Sequence, residues 1–238
     1  MAQVGDLAVY VKTEQPDVFR SVTARGDFPR AVLESSFPGL WDIFLAGGIA
    51  AARCRRTLPA GKGYAGLLLS APYAESYRLL SAALLSCLQR PLRGAFGTVT
   101  PVRLLSQSSG FPPITTISLD GKKTAPAPMD RPVSLRTFSP LRSPFAIGKE
   151  ISAAQAELAE LMDRPEVAPA PGPPSWIITS VSLSETGSGG FMKGSAEVFS
   201  PHPFASLALR YALLKGFGSG REHGYGTLDF DTARRKAQ

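Results

Sequence analysis

The second half of the chain shows an order of elements that few folds accommodate. Alternating or β-branched segments typical of strands are separated by two segments with helical spacing. They occur in the order Val133–Phe138 (strand), Ala153–Met162 (helix), Trp176–Leu183 (strand), Phe191–Phe199 (strand), Phe204–Lys215 (helix) and Tyr225–Phe230 (strand). The order β-α-β-β-α-β is that of a ferredoxin-like unit. The proline-rich segment Pro165–Pro174 is predicted to be a surface linker inside it, because proline interrupts helices and central strands.

The first half is less regular but contains similar elements. Strands are predicted at Leu7–Val11 and Gly63–Ala71, and the strongest helix at Ala74–Leu88, which has an apolar stripe. Two further strand-like segments, Phe96–Leu105 and Ile114–Leu119, could pair with each other. We therefore predict an α+β protein with two ferredoxin-like (RRM-like) domains.

A helical insertion is expected in the first half. Leu40–Arg56 has helical character despite Gly47 and Gly48, each of which costs about 1 kcal/mol relative to alanine. Its last turn is predicted to present Arg53, Arg55 and Arg56 to a ligand. The predicted domains are residues 1–123 and 133–238, joined by a linker at residues 124–132.

A glycine-rich loop is predicted near the C-terminus. Gly216–Gly226 reads GFGSGREHGYG, which is glycine–hydrophobic–glycine, five residues, glycine–hydrophobic–glycine. Glycine reaches positive φ without steric cost and allows a ligand to approach the backbone closely. A dinucleotide fingerprint lies between a strand and a following helix, whereas this loop follows a helix and precedes a strand. No Lys-Ser/Thr pair follows the last glycine, so the segment is not a P-loop either.

The composition favours an anionic partner. The chain has 26 Lys and Arg against 19 Asp and Glu, a formal charge of +7, and its arginines are clustered. A guanidinium matches phosphate geometry bidentately, so these clusters suit RNA. The two cysteines form neither a disulfide framework nor a zinc site. Asp229 and Asp231 share a strand face, but no third ligand falls at a suggestive spacing. No metal or cofactor is expected.

A cytoplasmic location is expected, with no membrane partner. The apolar stretch Ile43–Ala52 is too short to span a bilayer, and the first residues lack the pattern of a secretory signal.

The glycine-rich segment resembles the signature of the CRISPR-associated RAMP superfamily, whose members handle RNA and are built on ferredoxin-like domains. The preceding residues, Gly194–Phe199 and Pro203–Lys215, extend this resemblance to the C-terminal end of the family's precursor-crRNA endoribonucleases. The rest of the chain matches in architecture. Its arginine-bearing helical insertion is similar to that of the type IV CRISPR branch.

The resemblance implies a metal-independent endoribonuclease that binds CRISPR repeat hairpins. In this family a ribose 2′-hydroxyl attacks the adjacent phosphate and leaves a 2′,3′-cyclic phosphate and a 5′-hydroxyl. The product commonly stays bound, and the enzyme joins other CRISPR effector subunits. Many members place a catalytic histidine in the first domain, where this chain has none. This departure favours catalysis by arginines, which stabilise charge but are poor bases.

Site residues follow from the loop and from the arginine clusters. The catalytic candidates are Arg25, Arg30 and His223. The RNA-binding candidates are Arg53, Arg55, Arg56, Lys215, Gly216, Gly218, Gly220, Arg221, His223, Gly224 and Gly226. Four tyrosines could stack bases or donate a proton, namely Tyr10, Tyr64, Tyr73 and Tyr77, although helical placement favours packing for the last two.

Two alternatives remain open. The chain could be a noncatalytic RAMP subunit that only grips the crRNA. It could also be a basic α+β protein-interaction module whose glycine-rich loop is fortuitous.

Overall fold

The structure is a computed structural model. It describes residues 2–19, 22–46, 52–106, 114–120, 124–142, 146–171, 175–186, 190–219, 221 and 226–230, without the side chains of residues 22–25 and 142. The chain divides into two compact units, the first comprising Ala2–Ile117 and the second starting at Ser118. Arg221 groups with the first unit although it follows the last helix of the second.

The first unit is built on an antiparallel sheet. Its elements are β1 (Gln3–Thr13), α1 (Pro16–Phe19), α2 (Val22–Ser36), α3 (Leu40–Ala46), β2 (Arg53–Leu58), β3 (Tyr64–Ala71), α4 (Ala74–Cys87), β4 (Leu92–Gly94), β5 (Gly97–Leu105) and β6 (Thr116–Ser118). In the described part of the chain the strand order is β2-β3-β1-β5-β4, and β6 pairs with β1. Strands β5-β1-β3-β2 have the ferredoxin-like arrangement. Helices α1–α3 lie between β1 and β2 in the sequence.

The second unit repeats this topology. Its elements are β7 (Val133–Thr137), β8 (Leu141–Arg142), α5 (Ile147–Leu161), a 3-10 turn (Pro165–Val167), β9 (Ile177–Glu185), β10 (Phe191–Phe199), α6 (Ala205–Lys215) and β11 (Leu228–Phe230). Among the described strands, β10 pairs with β7, β8 and β9, and β11 pairs with β7. The order β11-β7-β10-β9 is again ferredoxin-like. The prediction of two ferredoxin-like domains is confirmed.

In the first unit, helices cover one face of the sheet. Alternation along β1 directs Leu7, Val9 and Val11 into the core formed with the helices, where Phe28 of α2 is also buried. Ala8 lies in a separate apolar cluster with Tyr10 beside it, on the opposite side of the strand. Since no residue of a described helix belongs to this second cluster, we call this opposite side the helix-free face of the first sheet.

The structure corrects the prediction of a helix at residues 40–56. Helix α3 ends at Ala46, and Arg53–Leu58 is a strand paired with β3. Two adjacent glycines are poor helix formers. The helix does not continue to residue 56, and pairing with the apolar strand β3 places the three arginines in a β-strand.

One further prediction is wrong, and another is incomplete. Residues 96–105 and 114–119 do contain strands, β5 and β6, but each pairs with β1 and not with the other. The segment at residues 165–174 is not simply a surface linker, because Val167 is fully buried and its carbonyl accepts a bond from Gln155 Nε2 at 2.8 Å. Helix α2 has no counterpart among the predicted elements, since it contains Gly26 and Pro29.

Within the described residues, no helix combines the length and apolar character needed to cross a membrane.

Candidate nucleic-acid interface

Three arginines lie side by side on β2, and all three are buried. Their exposed fractions are 1% for Arg53, 2% for Arg55 and 4% for Arg56. In the register with β3, Arg53 lies opposite Ser70 and Arg56 opposite Leu68, and the register shifts between Cys54 and Arg56. This bulge breaks the normal alternation, so that Arg53 and Arg56 lie on the same face of the sheet. That face is the helix-free one.

A buried carboxylate at the start of β1 organises this group. Asp6 is 0% exposed, and its Oδ2 accepts a 2.7 Å bond from Nη1 of Arg55. The Ser70 hydroxyl donates to Oδ1 at 2.5 Å, and the Thr115 amide donates to Oδ2 at 3.1 Å. A carboxylate this well satisfied is held rigidly and orients the guanidinium group paired with it.

The electrostatics of Arg53 show that positive charge is concentrated here. Burial is the main cause that lowers the pKa of Arg53 from the usual high value of an arginine to about 9. The charges of Arg55 and Arg221 lower this pKa as well, whereas the charge of Asp6 raises it. Arg53 still carries its proton at neutral pH, but at a cost in free energy. An oxyanion placed among these side chains would favour the charged form and relieve that cost.

The described part of the glycine-rich loop is anchored through its backbone. The Gly216 amide donates to the Ala212 carbonyl and ends α6. The Phe217 amide donates to the Gly226 carbonyl at 2.8 Å, and the Gly226 amide donates to the Pro140 carbonyl at 2.9 Å. Gly226 has φ +73°, and a Cβ there would lie 1.8 Å from the Phe217 carbonyl oxygen. The two ends of the loop therefore meet at Phe217 and Gly226, and the backbone there requires glycine at position 226.

One loop amide already holds an oxyanion. Gly218 has φ +70°, and its amide donates to both carboxylate oxygens of Glu150, at 2.8 and 3.1 Å. Glu150 lies in the first turn of α5. The geometry of this amide therefore suits an oxyanion, such as a carboxylate or a phosphate. Gly220, His223 and Gly224 lie outside the described residues.

Lys215 is engaged inside the second unit. Its ammonium group forms an ion pair with Glu157 of α5, whose other oxygen accepts a 2.8 Å bond from the Tyr211 hydroxyl. This network joins α6 to α5. The described contacts of Lys215 are therefore structural.

The two arginines predicted to be catalytic lie on α2. Arg30 is 51% exposed, and its Nη2 is 3.6 Å from Oδ1 of Asp42 on α3. The side chain of Arg25 lies outside the described part of the structure. Because α2 packs on the helix-covered face, the structure places Arg30 apart from the β2 arginines.

Asp6 is the site residue that the sequence analysis missed. It stands alone between apolar residues in the β1 sequence QVGDLAVYV. A single carboxylate in such a strand is a signal for a buried, partnered acid, since an unpaired charge is costly to bury. Among the described residues, no group of three His, Cys, Asp or Glu side chains is arranged to hold a metal ion.

No protein-family model matches the sequence, and no curated protein is significantly similar to it. Solved structures do match. A Cas6 product complex (TTHB231) from Thermus thermophilus has a TM-score of 0.66 and 16% identity, covering 97% of this chain and 100% of that one. Another Cas6 product complex (TTHA0078) has a TM-score of 0.59 and 16% identity, with coverage of 97% and 100%. An RAMP protein binding different RNA substrates has a TM-score of 0.52 and 10% identity, with coverage of 95% and 99%. This chain therefore shares the double ferredoxin-like fold of Cas6 and RAMP proteins.

Proposed function

We propose that this protein is a metal-independent endoribonuclease that binds CRISPR repeat hairpins and cleaves precursor crRNA. The observation that carries the proposal is the buried group of Arg53, Arg55 and Arg56 beside Asp6, to which the charge of Arg221 adds. Concentrating arginine charge in a desolvated site lowers the pKa of Arg53, and a phosphodiester would offset that cost. The similarity to Cas6 product complexes supports RNA as the source of that phosphodiester.

The reaction needs no nucleophile from the protein. The 2′-hydroxyl oxygen of the nucleotide before the cut bonds to the adjacent phosphorus, and the bond from phosphorus to the 5′-oxygen breaks. The 2′-hydroxyl loses its proton and the departing 5′-oxygen gains one, which yields a 2′,3′-cyclic phosphate and a 5′-hydroxyl. The protein contributes by aligning the 2′-oxygen in line and stabilising the charge on the phosphorane.

Arginine suits stabilisation of the charge on the phosphorane, but it is a poor base and does not suit proton transfer. Arg53, with its pKa near 9, is a cation at neutral pH and donates bonds to phosphate oxygens. In this proposal, Arg55 is oriented for the same purpose by its bond to Asp6. The Gly218 amide is a further donor, for which RNA phosphate competes with the Glu150 carboxylate. His223 is our candidate for moving the proton.

The finer assignment to a type IV-like enzyme now rests on helices α1–α3 alone, because the arginines of residues 53–56 expected on the helical insertion lie on β2. Helices α1–α3 separate β1 from β2, and α2 carries Arg25 and Arg30. We propose that Arg30, which lies apart from the β2 arginines, assists cleavage through a separate contact with the RNA. Arg78 of α4 is a matched control, since it too is exposed and paired with a carboxylate on a helix, that of Glu75. Arg30→Ala is expected to slow cleavage, and Arg78→Ala is not. Equal rates for both variants would remove Arg30 from the mechanism.

Product analysis tests the reaction itself. Repeat hairpin RNA incubated with the protein in EDTA is expected to yield fragments ending in a 2′,3′-cyclic phosphate. A single 2′-deoxy nucleotide before the cut is expected to abolish cleavage while leaving binding intact. Products bearing a 3′-hydroxyl, or cleavage of the deoxy substrate, would overturn the mechanism.

A noncatalytic role is the second candidate. One of the two histidines in the sequence, His202, uses Nδ1 to accept the Phe204 amide at 3.1 Å in the turn before α6. That leaves His223 as the remaining histidine for proton transfer. Tight hairpin binding without any cleavage would favour a subunit that only grips crRNA. Retention of the product within a larger effector complex is part of our proposal in either case, and copurification with crRNA checks it.

A further inference from the structure

The helix-free face of the first sheet carries aromatic and basic side chains beyond the arginine group. On β1, Tyr10 lies opposite Gly66 and Lys12 lies opposite Tyr64 of β3. On the other side of β1, Tyr10 lies opposite Arg103 and Lys12 opposite Thr100 of β5. We call these five residues, Tyr10, Lys12, Tyr64, Thr100 and Arg103, the tyrosine face.

The two tyrosines are arranged differently. A Cβ at Gly66 would lie 3.0 Å from a ring carbon of Tyr10, so the Tyr10 ring lies down across β3 where no side chain intervenes. Tyr10 is partly buried there, next to Leu58. Tyr64 is 42% exposed, the largest exposure of an aromatic side chain in the described part of the chain. Tyr10 thus forms the floor of the surface, and Tyr64 offers a ring to solvent.

An open cavity adjoins this face at the ends of the strands. It has a volume of about 850 Å³ and is lined by Lys12, Lys62, Thr98, Thr100 and Glu14, among others. Lys12 and Thr100 belong to both the cavity and the tyrosine face. These lining residues include two lysines against one carboxylate, so the lining has a net positive charge, and threonine hydroxyl groups add hydrogen-bonding capacity. A volume of this size accommodates a ligand as large as a nucleotide.

We propose that the tyrosine face and its cavity bind a single-stranded RNA segment adjoining the repeat hairpin. This proposal rests on the proposed function, because it names a second site for the same RNA. A base stacks on Tyr64, the neighbouring nucleotide enters the cavity, and their phosphates lie against Lys12, Lys62 and Arg103. Aromatic rings beside cations on a ferredoxin-like sheet are suited to unpaired bases.

The chemistry distinguishes a single strand from the hairpin stem. In a stem the base faces are stacked on one another and only phosphates and groove edges are presented, so an exposed tyrosine ring gains little from it. An unpaired base offers its whole face. Stacking is also tolerant of sequence, because every base has a π-face. The site is therefore expected to bind an unpaired segment whatever its sequence.

Binding measurements with two RNAs test the proposal. One RNA is the repeat hairpin alone, and the other carries its natural single-stranded extension, both with a 2′-deoxy nucleotide at the cut. Since a stacked base contributes about 1–3 kcal/mol, Tyr64→Ala is expected to weaken binding of the extended RNA by about 5- to 150-fold. Tyr64→Phe keeps the ring and is expected to bind like the wild type. Hairpin-only affinity is expected to be the same for all three proteins.

The outcomes separate this site from the proposed function. If the wild type does not bind the hairpin, the proposed function fails. If it binds the hairpin but the extension adds no affinity, or Tyr64→Ala loses none of it, the tyrosine face is not an RNA site and the proposed function stands. If Tyr64→Ala weakens both RNAs equally, Tyr64 serves the fold or the hairpin site, and the inference is wrong. Circular dichroism melting identifies a variant that has unfolded.

A reporter variant gives an independent measurement that does not remove the ring. The two native tryptophans, Trp41 and Trp176, are buried. Tyr64→Trp therefore adds an exposed indole, whose emission is expected to be quenched by the extended RNA and not by the hairpin alone. An abasic nucleotide at the stacking position should prevent the quench. Quenching that persists with every base of the extension removed would contradict stacking.

Discussion

The two sheets share one topology but differ in what their equivalent strands display. Strands β1 and β3 of the first sheet place Tyr10, Lys12 and Tyr64 on the helix-free face. The corresponding strands of the second sheet, β7 and β10, place Ser134 opposite Glu197 and Arg136 opposite Ser195 on the face away from the buried Leu135, and the Ser134 hydroxyl donates to the Glu197 carboxylate at 3.1 Å.

This difference suggests a division of labour between the units. The first unit presents side chains from its strands, in an order set by β register. The second unit displays backbone groups of its glycine-rich loop. Gly218 has a donor amide, and the Gly226 carbonyl accepts the bond that joins the two ends of the loop. Topology alone therefore does not determine whether a unit displays side chains or main-chain groups. Each half of this contrast can be tested by substitution.

The largest expected effect is on the buried charges of the first sheet. Asp6→Ala leaves the Arg55 guanidinium buried without its carboxylate partner and is expected to lower the free energy of unfolding by about 3–5 kcal/mol. Glu197→Ala removes a partly exposed carboxylate on the second sheet and is expected to cost less than about 1 kcal/mol. Urea denaturation measures both. Similar losses of unfolding free energy for the two variants would show that the two sheets do not differ in their dependence on a carboxylate.

A second prediction separates stability from function within the arginine group. Arg53→Met removes a buried charge whose proton is already disfavoured, so the free energy of unfolding is expected to stay constant or rise. Losing one donor to the phosphorane should slow cleavage by about 10²–10³-fold. Single-turnover rates and melting curves check the two parts. A variant that is destabilised but cleaves normally would make Arg53 a structural residue.

Most of the fold was predictable because it depends on periodicity. The strands at residues 7–11, 63–71, 133–138 and 191–199 and the helices at 74–88 and 204–215 were all predicted, and the structure contains strands and helices at each of them. Burial of alternating or helically spaced apolar residues fixes such segments locally. Helix α2 and the pairing of β5 with β1 depend on tertiary contacts and left no clear pattern in the sequence.

The site was predictable in composition but not in placement. The arginines of residues 53–56 were identified as a cluster, yet they were expected on an exposed helical turn and lie buried on β2. Their environment depends on Asp6 and Ser70, which lie far away in sequence. A β-bulge, which no simple period reveals, places Arg53 and Arg56 on one face. The glycine-rich loop was found from its own residues, since positive φ is a local requirement.

The third prediction concerns the backbone of the second unit. Gly226→Ala forces a side chain into positive φ and towards the Phe217 carbonyl, so we expect a loss of about 1–3 kcal/mol in unfolding free energy. Gly39 is the matched control, because its φ is +79° and a Cβ added there would meet no atom within 4 Å. Gly39→Ala should therefore cost less, and it should leave RNA binding unchanged. Equal losses of unfolding free energy in the two variants would show that the backbone at position 226 tolerates a side chain.

The smallest expected effect is on the pH dependence of stability. In the unfolded chain Arg53 has the high pKa usual for arginine, and in the folded protein burial lowers its pKa to about 9. Below pH 9 both states are protonated there, and the folded state bears the full cost of the buried charge. As the pH rises through 9, the folded protein releases this proton while the unfolded chain keeps it, so the cost falls and stability increases.

Between pH 8 and 10 the wild type is expected to gain about 1.4 kcal/mol in unfolding free energy relative to Arg53→Met. Subtracting the variant removes the titration of lysines and tyrosines common to both proteins. Parallel stability curves for the two proteins would show that Arg53 keeps its proton throughout this range, and that the arginine group is less strained than its burial implies.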